Sequence, residues 1–237
     1  MLCFKMSNLS VILCTYNESE NIANALNQLV KNKDVDQIII VDDNSSDGTI
    51  EIIKSFKNDK IKYFIRENAK NFASAFIFGI KMSDGNYVMR FDLDMYEDID
   101  FFVKEFKKNQ SNDCIIFSRY VFKGADQRSN FRKVTSIIIN KLCQLILSSK
   151  VKDYTSCIMV FKRSILKNNT LRNTGYANFV IEFIFRLILQ EKKILEVPYI
   201  QKKKTELNSK TASNFFVFVK NGFYYLATII KCFFIKF

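Results

Sequence analysis

Residues 37–49 read QIIIVDDNSSDGT, an apolar run that ends in two acids and a polar turn. The run is short and rich in Ile and Val, as are strands buried inside a sheet. Asn44 tolerates a positive φ, and Ser46, Asp47 and Gly48 suit a tight turn followed by the start of a helix. The stretch therefore predicts a strand, a turn and a helix, with the acids at the carboxyl end of the strand.

The same alternation of strand and helix patterns fills the first half of the chain. Three more short apolar runs predict strands: Leu9 to Cys14, Ile61 to Ile65 and Tyr87 to Phe91. Helical periodicity separates them, first after Asn17, where Glu20 completes a capping-box pattern, then over Thr49 to Lys57 and Phe72 to Met82. This alternation predicts a βαβαβ sheet of parallel strands, which binds ligands at the carboxyl ends of its strands.

The second half predicts three helices, two strands and an apolar tail. In chain order these are a helix near Asp100 to Asn109, a strand over Cys114 to Phe117, a helix near Phe131 to Ser149, a strand over Cys157 to Phe161, a helix near Ala177 to Gln190 and the tail Phe215 to Phe237. A chain of 237 residues is long enough for one α/β domain with a sizeable core.

The composition excludes several classes of function. The chain has no histidine, which excludes Ser-His and Cys-His nucleophilic catalysis and histidine zinc sites. The six cysteines show no paired metal-site spacing, which favours a reducing compartment. The net charge of +12 attracts polyanions, but no nucleic-acid-binding motif accompanies it. We find neither a signal-peptide pattern nor a run of the roughly 20 apolar residues that span a bilayer.

Two acidic clusters are the sharpest candidates for chemistry. Asp92 and Asp94 follow a predicted strand, and two carboxylates at this spacing hold Mg²⁺ or Mn²⁺ through oxygen atoms. Asp42 and Asp43 end another strand, where a carboxylate suits a ribose hydroxyl or a base N–H. The simpler alternatives are an acidic helix N-terminus for the first cluster and a capped turn for the second. We expect both clusters at the same edge of the sheet.

Seven short motifs follow one another along residues 9 to 210. They are Thr15-Tyr16-Asn17-Glu18, the segment from Val41 to Thr49, Gly85-Asn86-Tyr87, Asp92-x-Asp94, Ser118-Arg119-Tyr120, Asp153-x-Thr155-Ser156 and Val197-Pro198. Their order and spacing resemble glycosyltransferase family 2, most closely its dolichyl-phosphate mannosyltransferase or polyprenyl-phosphate glycosyltransferase group. The chain departs from that group where Lys204 stands in place of an arginine.

The resemblance implies the A-type glycosyltransferase fold, a Rossmann-like, mostly parallel α/β sheet flanked by helices. It implies a catalytic domain over residues 1–210, with a nucleotide-sugar-binding half near 9–117 and an acceptor half over 118–210. It also implies three groups of site residues: Thr15, Tyr16, Glu18, Asp42 and Asp43 at the nucleoside; Asp92 and Asp94 at the metal; and Arg119, Arg132, Lys204 and Asp153 near the phosphates and the transferred sugar.

We therefore expect an inverting enzyme that moves a hexose from a GDP- or UDP-sugar to a polyprenyl phosphate, dolichyl or undecaprenyl. Such an acceptor is already an anion and needs no general base. The alternative acceptor is a sugar hydroxyl in a surface polysaccharide or glycolipid, for which Asp153 is the candidate base. An alternative of another class is a non-catalytic, basic membrane- or nucleic-acid-binding protein, although we expect no nucleic-acid partner.

The tail over residues 211–237 combines aromatic and aliphatic residues with lysines. This pattern is typical of a helix that lies in the lipid headgroups, and a terminal helix packed on the protein is the alternative. We expect a cytoplasmic protein held peripherally on the inner face of the membrane. In the preceding helix, the four-residue spacing of Glu182 and Arg186 predicts an ion pair within the helix.

Overall fold

The structure is a computed structural model that describes residues 8–67, 71–166, 171–172, 177–203 and 215–235. The strands are β1 (Leu9–Thr15), β2 (Gln37–Asp42), β3 (Ile61–Ile65), β4 (Tyr87–Arg90), β5 (Cys114–Ser118), β6 (Ala125–Asp126), β7 (Met159–Lys162), β8 (Ile194–Pro198) and β9 (Ile200–Gln201). The α-helices are α1 (Ser19–Lys31), α2 (Thr49–Ser55), α3 (Phe72–Met82), α4 (Ile99–Lys108), α5 (Asn130–Ile146), α6 (Phe179–Leu189) and α7 (Phe215–Ile235).

These elements form two compact units. Unit 1 takes its described residues from Met1–Asp113 and Ile158–Lys167, and unit 2 takes its own from Cys114–Cys157 and Asn168–Phe237. The described residues of Ile158–Lys167 belong to unit 1 because β7 returns to pair with β4. The tail helix α7 is part of unit 2, where it packs on α5 and α6.

The sheet of unit 1 places β1 and β2 in its interior. Its strand order is β3-β2-β1-β4-β7, in which the first four strands are parallel and β7 is antiparallel to β4. Interior strands are covered on both faces, and accordingly almost every side chain of β1 and β2 is buried. The predicted parallel βαβαβ arrangement is confirmed, whereas the direction of β7 cannot be read from its apolar run.

Unit 2 is organised around two parallel strand pairs and three helices. β5 pairs with β8, and the two-residue strands β6 and β9 pair with each other. In α6 all residues except Arg186 and Leu189 are buried. The strands β6, β8 and β9 were not predicted, because two of them are very short and only Val197 of β8 is buried.

The start of α1 differs from the predicted capping box. The helix begins at Ser19 after Glu18, whose side chain makes no capping hydrogen bond. Instead, Asp47 caps the helix from the neighbouring loop by accepting a hydrogen bond from the backbone N–H of Ser19 at 3.0 Å. The Asn17 side chain accepts a hydrogen bond from the N–H of Ser46 in the same loop. Asn17, whose side chain was expected to cap α1, therefore fixes the loop after β2 instead.

None of the helices in the described residues is both long and apolar enough to cross a membrane.

The close packing of α3 on the sheet gives a direct test of the fold. A Cβ atom on Gly79 would come within 2.5 Å of Ile12 Cγ2 and 3.2 Å of Val41 Cγ2. We expect Gly79→Ala to lower the free energy of unfolding by about 1–3 kcal/mol, because buried β-branched side chains must move. Urea unfolding measures the change.

The matched control is Gly222→Ala in α7, where a Cβ would meet nothing within 4 Å. There the better helix propensity of alanine should raise stability by up to about 1 kcal/mol. Equal effects of the two substitutions would contradict the packing of α3 against β1.

Candidate active site

Asp42 joins the ends of β1 and β2 to the loop that follows. The register aligns Thr15 with Asp42, and the Thr15 hydroxyl donates to Asp42 Oδ2 at 2.6 Å. Ser45 donates to the same carboxylate through its hydroxyl at 2.6 Å and its backbone N–H at 2.8 Å. Asp42 is buried, and so are Thr15 and Ser45. In this arrangement Asp42 shapes the loop beside the predicted nucleoside site.

Asp43 is held by an arginine from the next strand. Arg66 Nε donates to Asp43 Oδ1 at 2.7 Å, and Arg66 Nη2 lies 2.6 Å from the same oxygen. The other carboxylate oxygen accepts from the backbone N–H of Asn71 at 3.2 Å. Burial raises the pKa of Asp43 above its ordinary value, although Arg66 opposes the shift. The cluster fixes the Asp43 carboxylate just beyond the carboxyl end of β2.

The loop after β2 also positions the segment that follows β1. Asn44 and Gly48 adopt positive φ values of 58° and 94°, which turn the chain from β2 into α2. The N–H of Glu18 donates to the Thr49 hydroxyl at 2.8 Å. Tyr16 is 39% exposed, so its ring remains accessible beside this loop. Unit 1 thus brings together all five residues predicted at the nucleoside.

Asp92 and Asp94 lie just beyond β4, at the same edge of the sheet. Asp94 lies in a 3-10 helix over Leu93–Asp98. Asp92 Oδ1 pairs with Arg90, a buried cation whose guanidinium also lies 4.5 Å from the centre of the Phe72 ring. The Asp92 side chain is 43% exposed, and its Oδ2 has no partner among the described residues.

This pair is compatible with a divalent cation that a ligand helps to bind. Within the described residues, no group of three or more Asp, Glu, Cys or His side chains could hold a metal ion alone. Mg²⁺ sites commonly use one or two carboxylates together with substrate phosphates. Asp92 and Asp94 would supply those carboxylates. A bound cation would neutralise charge on a departing diphosphate.

In unit 2, Arg119 and Asp153 form a buried, bidentate ion pair. Arg119 Nε donates to Asp153 Oδ2 at 2.8 Å, and Arg119 Nη2 donates to Oδ1 at 2.7 Å. The backbone N–H of Arg119 adds a third hydrogen bond, and Asp153 is fully buried. Burial lowers the pKa of Arg119, but the charge of Asp153 and its hydrogen bonds outweigh this and hold it above the ordinary value. Both residues were predicted near the phosphates and the sugar, and the described contacts give them a structural role.

A second carboxylate extends this network. Asp126 accepts from Arg128 Nε at 2.9 Å and Nη2 at 2.6 Å, and from the Tyr120 hydroxyl at 3.0 Å. Arg119 Nη1 lies 3.7 Å from Asp126 Oδ2. Burial raises the pKa of Asp126, but Arg128 more than compensates and lowers it to about 2. The network fixes the chain on both sides of β6.

The other predicted residues of unit 2 have different surroundings. Arg132, in the first turn of α5, has no ion-pair or hydrogen-bond partner for its guanidinium among the described residues. Lys204 lies outside the described residues. The predicted pair within α6 is confirmed, because Arg186 Nη2 donates to Glu182 Oε1 at 2.7 Å. Glu182 also accepts from Lys231 of α7 at 2.9 Å.

Sequence reasoning missed the arginines that hold the acids. Arg66 and Arg90 were not proposed as site residues. Arg66 follows a predicted strand and binds Asp43, which follows the neighbouring strand. Arg90 lies near the end of a predicted strand, two residues before Asp92, which it binds. Asp126 and Arg128 were also missed. A basic residue at a strand end, with an acid at the end of the neighbouring strand, is the signal that could have found Arg66.

Comparison with known proteins decides the family. Residues 10–170 match the profile described as "Glycosyl transferase family 2". The chain belongs to glycosyltransferase family 2. The polar edge of unit 1 and the Asp92-x-Asp94 pair are therefore features of a member of this family.

Two curated family members are similar over most of this chain. Poly-β-1,6-N-acetyl-D-glucosamine synthase of Staphylococcus epidermidis is 30% identical over 204 residues, which cover 82% of this chain and 49% of that protein. Poly(ribitol-phosphate) β-N-acetylglucosaminyltransferase TarP of Staphylococcus aureus is 28% identical over 200 residues, 76% of this chain and 58% of that protein. The chain thus spans about half the length of the curated relatives it matches.

Solved structures establish the fold. A crystal structure of glucosyl-3-phosphoglycerate synthase from Mycobacterium tuberculosis with UDP superposes with a TM-score of 0.72 at 14% identity, covering 96% of this chain and 80% of that one. Another, with Mn²⁺, UDP and glucosyl-3-phosphoglycerate, gives 0.71 at 16% identity, covering 95% and 80%. The chain has the expected α/β A-type glycosyltransferase fold, with a mostly parallel sheet flanked by helices. The specific likeness to the dolichyl-phosphate mannosyltransferase group is not among these findings.

The contrast between two predicted site arginines can be tested by their effect on stability. Arg119→Met should lower the free energy of unfolding by roughly 3–5 kcal/mol, because it leaves Asp153 buried and without its counter-charge. Arg132→Met, the matched control, removes no described ion pair and should change stability by less than about 0.5 kcal/mol. Chemical unfolding measures both, and an equal, small effect of the two would contradict the structural role of Arg119.

Proposed function

We propose that this glycosyltransferase moves a sugar from a nucleotide diphosphate sugar to a hydroxyl group of a surface polysaccharide or a related polymer. The observation that carries the proposal is the similarity to two enzymes whose names both specify N-acetylglucosamine and a polymer. Because the chain spans about half of each relative, the activity of the whole relative is itself part of the proposal. UDP-N-acetylglucosamine is the first donor to test.

The nucleotide would bind at the carboxyl ends of β1 and β2. Arg66 holds the Asp43 carboxylate in one orientation, so that it is positioned to accept a hydrogen bond from a base or ribose group. Tyr16 offers an exposed aromatic ring, and Glu18 lies two residues away. The buried bonds of Asp42 keep both segments in place without direct contact with the nucleotide.

Asp92 and Asp94 would hold Mg²⁺ or Mn²⁺ against the donor diphosphate. Solved structures of a protein with a similar fold contain both Mn²⁺ and UDP, which supports this choice of metal and nucleotide. Arg90 keeps one oxygen of Asp92 hydrogen-bonded, and the Asp92 side chain is 43% exposed. The reaction would then be a single in-line displacement with inversion at the sugar.

A hydroxyl acceptor requires a base, and the structure limits the choice of base. Asp153 is the candidate from sequence, but Arg119 and Thr155 occupy both of its carboxylate oxygens with hydrogen bonds. Proton transfer to Asp153 therefore requires that Arg119 releases it. Glu182 is similarly held by Arg186 and Lys231.

A polyprenyl phosphate is the second candidate acceptor. The observation that favours it is that Arg119 and Thr155 hold the carboxylate of Asp153, the candidate base. A phosphate anion attacks without losing a proton, so Asp153 could remain paired. Arg132, whose guanidinium has no partner among the described residues, is a suitable cation for a phosphate group. The relatives identified here give no support to this acceptor.

Asp94→Asn tests the metal role. We expect sugar transfer, measured as UDP release with Mn²⁺ present, to fall by at least about a hundredfold, because electrostatic stabilisation of a leaving group of this kind is worth several kcal/mol. Glu97→Gln, an exposed substitution in the same 3-10 helix, is the control and should stay within about threefold of wild type. Full activity of Asp94→Asn after chelation would exclude the metal assignment.

A parallel assay with two acceptors separates the two proposals. The protein, UDP-N-acetylglucosamine and Mn²⁺ are incubated with an N-acetylglucosamine oligosaccharide or with undecaprenyl phosphate. The hydroxyl proposal predicts an extended oligosaccharide, detected by mass spectrometry. Transfer to undecaprenyl phosphate, with no transfer to the oligosaccharide, would contradict the hydroxyl proposal and support a polyprenyl phosphate as the acceptor.

A further inference from the structure

Helix α5 exposes an apolar stripe on the side opposite its buried face. Phe131, Val134, Ile138 and Leu145 are 58, 53, 53 and 84% exposed. Their spacings of three, four and seven residues place them on one face of the helix. The buried residues of α5, Ile139, Asn140 and Cys143, lie on the other side. The periodicity of α5 therefore gives it two apolar faces, and within the described part of the chain one is buried and the other is exposed.

Helix α7 repeats this arrangement. Its exposed residues Phe223, Leu226, Ile230 and Phe234, which are 67, 40, 58 and 71% exposed, follow one another at spacings of three and four. Its buried residues are Thr228, Ile229 and Cys232. A single surface Leu or Phe needs no explanation, but two such stripes on helices that contact each other do.

The packed face of α7 is fixed to unit 2 by polar contacts. Asn178 Nδ2 donates to the Thr228 hydroxyl at 2.9 Å, and Lys231 Nζ donates to Glu182 Oε2 at 2.9 Å. Glu182 is only 2% exposed at its side chain, so that Lys231 neutralises a buried acid. These bonds orient α7 and leave its other face directed away from the core.

The unneutralised charges of these two helices have one sign. α5 carries Arg132, Lys133 and Lys141, and neither α5 nor α7 contains an Asp or Glu. Lys133 and Lys141 are exposed, and Arg132 has no ion-pair partner among the described residues. Self-association through these helices would bring like charges together. An anionic lipid surface is complementary to both the apolar stripes and the basic residues.

We propose that α5 and α7 together form a docking surface for an anionic lipid bilayer. The exposed stripes of the two helices enter the headgroup region: Phe131, Val134, Ile138 and Leu145 of α5, and Phe223, Leu226, Ile230 and Phe234 of α7. The exposed Lys133 and Lys141 of α5 contact lipid phosphates. The surface differs from a tail that acts alone, because α5, in the middle of the chain, contributes half of it. It goes beyond the proposed sugar transfer, since it places the enzyme at a membrane whichever acceptor is used.

Vesicle flotation with the full chain tests the proposal. We expect the protein to float with vesicles of phosphatidylcholine and phosphatidylglycerol, and to bind pure phosphatidylcholine at least about tenfold less well, because several basic residues contribute. Raising the salt concentration should weaken binding to the anionic vesicles. Binding that is equal for both lipids, or absent for both, would overturn the proposal.

Variants separate the contributions of the two helices. Leu145→Glu in α5 and Phe234→Glu in α7 should each reduce binding to anionic vesicles by about tenfold or more, because each places a charge at a lipid-facing position. Tyr63→Glu, at a 43% exposed aromatic residue on β3 of unit 1, is the matched control and should bind like wild type. Loss with Phe234→Glu but not with Leu145→Glu would overturn the role of α5.

Two further measurements keep the result unambiguous. Thermal unfolding midpoints confirm that each variant folds, and Lys133→Gln with Lys141→Gln reduces the charge of α5 without touching its apolar stripe. This double variant should lose several-fold in binding to anionic vesicles only. The proposal fails if the wild-type protein self-associates and does not float with vesicles, and if Leu145→Glu makes it monomeric. The docking surface would then bind a second copy of the chain.

Discussion

The hydrogen bonds that Asp42 accepts from Thr15 and Ser45 hold the functional edge of unit 1 together. They form because the parallel register of β1 and β2 places Thr15 beside Asp42. The loop that Asp42 closes then reaches the start of α1 through Asp47 and Thr49. A shift of register by one residue would turn Asp42 to the other face of the sheet and separate these groups.

Paired charges set a second constraint, separately in each unit. Asp43, Asp92 and Asp153 are each held by an arginine, respectively Arg66, Arg90 and Arg119. Such pairs cost desolvation energy and add little net stability, but removing one partner of a buried pair is expensive. Their benefit is orientation: each carboxylate presents a fixed direction before any ligand binds. A charged ligand that binds such a carboxylate meets a group that need not reorganise.

Most of the fold and part of the candidate site could be predicted from the periodicity of apolar residues and from the polar residues at strand ends. The runs ending at Cys14, Val41 and Phe91 were recognisable because buried parallel strands are continuously apolar, and their polar endings located Thr15, Asp42, Asp43 and Asp92. The partners of those acids were not recognisable, since Arg66 lies 23 residues from Asp43 and meets it only through the pairing of β2 with β3. The same limit applies to Asp153, whose contact with Arg119 spans 34 residues.

The exposed faces of α5 and α7 can be recognised only when the sequence pattern is combined with the packing of the helices. The sequence marked the tail as amphipathic, but it could not show that α5 also exposes an apolar stripe, because a helix with two apolar faces resembles a buried one. Packing decides which face is covered, and here Cys143 and Cys232 mark the covered sides.

The most direct test of the account is calorimetric titration of UDP into the purified protein with Mn²⁺, repeated after chelation. The account predicts saturable binding at one site with Mn²⁺ and a loss of at least about tenfold in affinity without it, because Asp92 and Asp94 would hold a cation that offsets the charge of the diphosphate. Binding of the same strength with and without the metal would contradict the role of that pair. The absence of any binding, with UDP and GDP alike, would contradict the donor site at the ends of β1 and β2.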